Sequence, residues 1–496
     1  MIILDGNSLT LDDVKAVAVL GEPVSLAPSA RERMEASRRV VSRIVESGRV
    51  VYGVNTGFGK LGTVVIPPEE IRQLQLNLLR SHCVGVGDRL TREETRALMV
   101  TRANVLAKGY SGVRPLLVDT LLAMLNAGVH PVIPSKGSVG ASGDLAPLAH
   151  LGLAMIGEGE VEYDGRVLPA RDALARAGIE PISLEAKEGV ALINGTQAMV
   201  AVGSLCLLRA KELANVADVV GAMSLEALHG TNVAFDARIH AVRPYPGQIE
   251  VAERLWRLTQ DSEIMSSHRE CHRVQDAYSL RCMPQIHGAV REALRHVETI
   301  LATELNSATD NPLVFAETGE VLSGGNFHGE VLALAFDYLG MALAELGAVS
   351  ERRIERLVNP DLSELPPFLT TQPGLCSGMM MLQILAVSLC GENKVLSHPA
   401  SVDSLPTSGN KEDHVSMGMT SAWKLRQIVE NVAQILSIEA ICAAQGLDFL
   451  EPLQPGRGVR EARRRVRNYV PRLETDRVLY PDLERMRQHL FELADL

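Results

Sequence analysis

Aromatic side chains are scarce in this 496-residue chain: two Trp, eight Tyr and eight Phe make up 4% of it, while apolar residues reach 46%. That balance argues against an aromatic-rich β-sandwich and for cores of interlocking aliphatic helices. Positive charge is short too. Lys and Arg number 49 against 60 Asp and Glu, a formal net charge of −11, which disfavours general nucleic-acid binding. The seven cysteines are an odd, scattered set with no C-x-x-C pair, and read as reduced thiols of a cytoplasmic protein. None of the 13 histidines falls in an H-E-x-x-H or comparable spacing, so no metal site is expected. The opening residues, Met1 to Gly6, carry neither a basic region nor a cleavable apolar core, so no secretory signal is evident. Internal repeats and low-complexity segments are also lacking.

What the chain has in abundance is helical pattern. Residues 12–20, 30–47, 69–82 and 91–126 read as helices, with a Gly-rich loop over 52–62 between the second and third. Residues 157–181 read as a strand pair and a helix. Beyond residue 195 come long runs with few breakers, over 198–228, 285–307, 327–358 and 412–447. Several exceed the common globular length of about 8 to 20 residues, and helices so long and apolar need partners along most of their length. Oligomerisation is expected on that ground. The run 331–349 is interrupted by Asp337 and Glu345, which fits the centre of a bundle better than a membrane span. Two domains are expected: 1–200, with loops and little β, and 201–496, a long helical bundle with C-terminal helices. The G-x-G-x-x-G match at residues 57–62 lacks a clear βαβ setting and is weak evidence for a nucleotide site. The basic run 457–472 reads as a solvated helix face or a set of intersubunit ion pairs rather than an RNA site.

One stretch carries unusual chemistry. In Gly137-Ser138-Val139-Gly140-Ala141-Ser142-Gly143-Asp144, small residues surround a tripeptide able to react with itself. With the backbone kinked, the Gly143 amide nitrogen can reach the Ala141 carbonyl carbon and close a five-membered ring; Gly143 suits this because it has no side chain. Loss of water and of the Ser142 hydroxyl leaves a methylidene conjugated to an imidazolinone, an electrophile that no ordinary side chain provides. Elsewhere, Tyr278 and Arg281 stand three apart, so a helical turn points them the same way. Arg281 offers a fork of donors matched to a carboxylate, and Tyr278 is a candidate base if positive charge nearby lowers its pKa.

The string from Gly137 through Leu145-Ala146-Pro147-Leu148-Ala149-His150 closely resembles the signature of the histidine/phenylalanine ammonia-lyase family. The resemblance runs from residue 52 to residue 418. It implies a mainly α, fumarase/aspartase-like fold with a central helical bundle, a homotetramer with active sites shared between subunits, and a 4-methylideneimidazol-5-one (MIO) group made from Ala141, Ser142 and Gly143. Further matches imply further roles. Asn194, in Ile193-Asn194-Gly195-Thr196-Gln197, is expected beside that group. Tyr52 opens a mobile loop and supplies a second phenol. Gln275, Tyr278 and Arg281 lie in the intact Gln275-Asp276-Ala277-Tyr278-Ser279-Leu280-Arg281, with Tyr278 as base and Arg281 and Gln275 binding substrate. Phe327, in Ser323-Gly324-Gly325-Asn326-Phe327-His328, is an aromatic wall. Ser81-His82 and Glu412 resemble the histidine branch, which turns L-histidine into trans-urocanate and ammonia, because a carboxylate rewards an imidazole N–H as an apolar pocket cannot. Lys411 departs from the family, which usually has Gln there; an added cation beside Glu412 bears on substrate preference and pH optimum. A phenylalanine or tyrosine lyase or aminomutase using the same group is the competing expectation, and a silent structural protein on the same scaffold is a more distant one.

Overall fold

The computed structural model describes residues 1–268 and 274–496, in two compact units. The first is assembled from residues 1–205, 298–337 and 399–423, and the second from 206–297, 338–398 and 424–496. The fold is mainly α, as expected.

The first unit begins with helices whose starts are written in local chemistry. Thr10 caps Leu11–Ala18 and Thr91 caps Arg92–Ala107, each in a reciprocal box with the acidic residue three further on, Asp13 and Glu94. The helical run expected over 91–126 is in fact two helices, Arg92–Ala107 and Pro115–Ala127. The chain turns between them at Gly109 and Gly112, both at positive φ, and Pro115 starts the second helix at a position where its missing N–H costs nothing. Residues Glu94 to Ala107 are all buried, so this helix runs through the interior of the unit. The four small sheets of the described residues all belong to this unit. The expected strand pair is present as Glu160–Tyr163 and Arg166–Pro169, antiparallel with Val161 opposite Leu168, and the helix Ala170–Ala177 follows.

The second unit holds the greater parts of four long helices: Gln197–Ala227, Met283–Glu304, Glu330–Val358 and Gly418–Asp448. In the first of these Val216, Val219, Val220, Met223 and Leu225 are all fully buried, and a helix apolar on all sides belongs inside a bundle. Glu330–Val358 and Gly418–Asp448 are long and apolar enough to cross a membrane by length and composition, yet most of each apolar window is buried within the chain. The run expected from 412 starts only at Gly418, which leaves residues 412–417 in a loop.

Buried charge ties the bundle together. The Arg353 guanidinium is paired with Glu439 at 2.5 Å, and Ser224 and Ser350 donate to the same carboxylate. Next to it the His287 ring meets Asp218 at 2.7 Å, and Arg291 pairs with that carboxylate at 2.5 Å. Burial holds the His287 pKa below its usual value, so a neutral ring donates to a carboxylate that its partners keep ionised. The basic run forms the helix Arg457–Tyr469, and its arginines pair within the chain: Arg463 and Arg467 with Asp448, Arg464 with Glu461, Arg465 with Asp495. Among the described residues no cysteine is in a disulfide, and Cys271 lies outside them.

Candidate active site

The tripeptide Ala141-Ser142-Gly143 sits where three stretches of the first unit converge. Gly143 adopts φ of 74°, and a methyl group there would collide with the Gly195 carbonyl oxygen and lie 2.8 Å from the Gly195 nitrogen. Only glycine allows the two backbones to meet, and they pair as a parallel bridge, with the Asp144 N–H donating to the Gly195 oxygen at 2.7 Å. Asn194 reaches back along the same turn, its amide donating to the Ser142 carbonyl oxygen at 2.8 Å, while its own Oδ1 is buried without a partner. The third stretch is 412–417. The Met417 N–H donates to the Val139 oxygen at 2.8 Å and the Ser416 hydroxyl to the Gly140 oxygen at 3.0 Å.

Asp144, next in sequence, is fully buried. The Ser138 hydroxyl and the Met199 N–H donate to its carboxylate at 2.8 and 2.9 Å, yet burial outweighs them and raises its pKa to about 6.

A cavity of about 550 Å³ opens in front of Ser142, lined by Tyr52, Phe58, Leu74, Leu78, His82, Ser142, Asn194, Phe327 and Glu412 among others, all from the first unit. Glu412 accepts the Ser142 hydroxyl at 2.7 Å and the Thr407 hydroxyl at 2.5 Å. His82 ends the helix Ile71–His82, and its Nδ1 lies 2.8 Å from the Leu78 carbonyl oxygen. A carbonyl only accepts, so Nδ1 carries the proton and Nε2 is left as an acceptor. Burial lowers the His82 pKa, against the opposing pull of Leu78 and Glu412. The Cys83 thiol beside it is pushed up to about 12 by burial, which removes it as a nucleophile. Tyr52 lies at the base of the 52–62 loop, where its hydroxyl accepts the Gly59 N–H at 3.1 Å. The loop tip turns at Gly59–Leu61 and rests on Ser408–Asn410.

The structure thus brings together Tyr52, His82, Ala141, Ser142, Gly143, Asn194, Phe327 and Glu412 in one unit. Gln275, Tyr278 and Arg281 belong to the other. Tyr278–Arg281 forms a short helix there, with Tyr278 69% exposed and the Arg281 guanidinium 4.6 Å from its ring centroid. Gln275 is exposed, on the rim of a separate hollow of about 940 Å³ that Trp256 and His229 also line. Thr407, Asn311 and the Leu78 carbonyl are neighbours of the cavity residues that the sequence did not single out, and nothing local marks Thr407 as the partner of Glu412. Among the described residues no group of three or more His, Cys, Asp or Glu is placed to hold a metal ion.

Comparison with known proteins places these features in context. The model of the family described as aromatic amino acid lyase matches residues 9–468. A histidine ammonia-lyase of Koribacter versatilis is 56% identical over 492 residues, covering 97% of this chain and 95% of the relative. The crystal structure of a histidine ammonia-lyase from Trypanosoma cruzi matches with a TM-score of 0.92 at 46% identity, over all of this chain and 95% of that one. A tyrosine aminomutase from Streptomyces globisporus matches with a TM-score of 0.94 at 39% identity, over 99% and 97% of the two chains.

Proposed function

Since the chain belongs to the aromatic amino acid lyase family, we propose that it converts L-histidine to trans-urocanate and ammonia in the cytoplasm. It is an enzyme of the carbon–nitrogen lyase class. The observation that carries the choice of substrate is that Glu412 and His82 both line the cavity that opens on Ser142. Two polar groups there, one a carboxylate and one with a free ring nitrogen, suit an imidazole, whereas a phenyl ring would leave both desolvated and unpaired.

The prosthetic group fits the residues present. Gly143 is already kinked and packed on Gly195, and Asn194 holds the Ser142 carbonyl oxygen from the side. For the ring to form, the Gly143 nitrogen bonds to the Ala141 carbonyl carbon, whose oxygen leaves as water with the Gly143 and Ser142 amide protons. A second water takes the Ser142 hydroxyl and its α-hydrogen. The resulting group supplies the electrophile that activates the substrate's poor leaving group, ammonia. Departure of the Ser142 hydroxyl also frees Glu412 Oε1, which then faces the cavity and accepts an imidazole N–H. Tyr52, on its loop, closes the cavity against water.

Carboxylate binding by Arg281, a role for Gln275 in substrate contact and proton removal by Tyr278 complete the reading. Because these three residues belong to the other unit and Tyr278 is exposed, we assign them to the site of a neighbouring subunit in a homotetramer. Exposed Val331, Leu334, Tyr338 and Met341 support assembly: they recur every three or four residues on the helix Glu330–Val358, as a helix–helix seam requires.

The test is to mix the purified protein with L-histidine, phenylalanine or tyrosine and follow product absorbance in the near ultraviolet. Urocanate from histidine alone is the expected result. Product from only an aryl substrate overturns the roles of His82 and Glu412, and a β-amino acid product identifies a mutase.

A further inference from the structure

The Asn194–Gly195 turn has two sides. One faces the tripeptide, and the other rests on Arg102, a guanidinium on the helix Arg92–Ala107 with no exposed surface. Its Nη1 donates to Gln197 Oε1 at 2.5 Å and its Nη2 to the Ala191 carbonyl oxygen. These acceptors bracket the turn: Ala191 lies near the end of the helix Glu188–Ile193, and Gln197 begins the helix Gln197–Ala227. Gln197 is held in turn by Thr309, whose hydroxyl accepts its amide at 2.8 Å. The layers are in close contact. A methyl group on Gly195 would lie 2.5 Å from Arg102 Nη1 and 2.9 Å from Thr309 Oγ1.

Burying a cation costs several kcal/mol unless its partners repay it. Arg102 has no carboxylate among these hydrogen bonds; the nearby Asp310 is bonded to Lys187 at 2.7 Å, and the Arg102 Nε is buried without a partner. Burial brings the Arg102 pKa down to about 10, which leaves it charged at neutral pH. Asp310 and Asp144 attract this charge through space, but its hydrogen bonds go to two neutral acceptors on either side of one turn, which points to a geometric task. A fork of donors in one plane sets the distance between those acceptors, and an ammonium cannot.

We propose that Arg102 is a positioning residue for maturation of Ala141-Ser142-Gly143: by clamping Ala191 and Gln197 it holds Gly195 against Gly143 in the kink from which the ring closes. Arg102 touches no reacting atom. The proposal rests on the reading that the tripeptide cyclises, and its test separates the two.

The test compares full-length wild type, Arg102→Lys and Arg353→Lys, the last an equally buried guanidinium in the second unit. The readouts are the mass of the peptide containing Ser142, circular dichroism and the melting temperature. Wild type is expected to lack two waters in that peptide. Arg102→Lys is expected to keep its helical signal while the matured fraction falls by about tenfold or more, as a small misplacement of reacting groups entails. Arg353→Lys is expected to melt lower yet mature fully. Gln197→Met, which removes one acceptor, is expected to mature poorly, and Gln197→Glu, which keeps it, to mature well; this pair decides the matter if Arg102→Lys does not fold. Full maturation of Arg102→Lys, equal losses in Arg102→Lys and Arg353→Lys, or equal behaviour of the two Gln197 variants overturns the proposal alone. A wild-type peptide at full mass overturns the cyclisation reading and this proposal with it.

Discussion

Replacing Glu412 by Leu removes the one carboxylate among the described residues that line the cavity and tests the substrate assignment directly. In the precursor Glu412 holds the Ser142 and Thr407 hydroxyls, at 2.7 and 2.5 Å. On the proposed maturation the first bond is lost and Oε1 is left to face the substrate. A hydrogen bond to a charged group contributes about 1.5–3 kcal/mol, so Glu412→Leu is expected to lower kcat/KM for histidine about 10- to 150-fold. Phenylalanine gains from the same change, because it no longer strands a desolvated carboxylate, a relief of about 1–3 kcal/mol or roughly 5- to 150-fold. The histidine-to-phenylalanine ratio therefore moves by about two to four powers of ten. Glu412→Gln keeps an acceptor oxygen without the charge and falls between, about 5- to 15-fold down on histidine. Steady-state kinetics with both substrates give the ratio, and the mass of the Ser142 peptide confirms that the variants mature. A ratio unchanged within about threefold, with matured protein, refutes the assignment of Glu412 to the imidazole.

Three further outcomes are expected. Gly143→Ala sets a methyl group against the Gly195 backbone, and its Ser142 peptide is expected at full mass, without near-ultraviolet absorbance from the ring. If sites are shared between subunits, co-assembly of Ser142→Ala chains with Tyr278→Phe chains, each inactive alone, restores up to about a quarter of wild-type activity in a random mixture; no recovery argues against sharing. Glu226, whose two carboxylate oxygens receive the Gly456 N–H at 3.0 and 2.9 Å, has its pKa raised by burial from 4.5 to about 8. The folded chain keeps this proton longer than the unfolded one, so the stability it contributes is complete below about pH 4.5 and is lost as pH rises towards 8. Glu226→Gln is expected to raise the melting temperature relative to wild type at pH 8 and to leave it unchanged at pH 4.5; an equal shift at both refutes the linkage.

Much of the helical order was legible because it is local. Thr10 and Thr91 mark their helix starts through boxes closed within four residues, and the strand pair at 160–169 follows from alternation around a turn. The break at 108–114 was written in Gly109, Gly112 and Pro115, but the apolar periodicity on both sides masked it. The late start at Gly418 was harder to see, since the preceding loop is held by hydrogen bonds from Ser416 and Met417 to residues 139 and 140.

The chemistry divides in the same way. The sequence by itself marked the candidate source of the proposed electrophile, because ring closure would join atoms within three consecutive residues and needs only Ser142 and the freedom of Gly143. It determined Asn194 and the Tyr278–Arg281 pair as candidates for the same reason, through short contiguous strings. Tertiary structure alone decided that Glu412 meets Ser142 across 270 residues, that Nε2 of His82 is its free nitrogen, and that a guanidinium lies beneath Gly195. Burial and proximity between distant segments are properties of the packed chain, and a buried Arg102 looks in sequence like any other arginine on a helix.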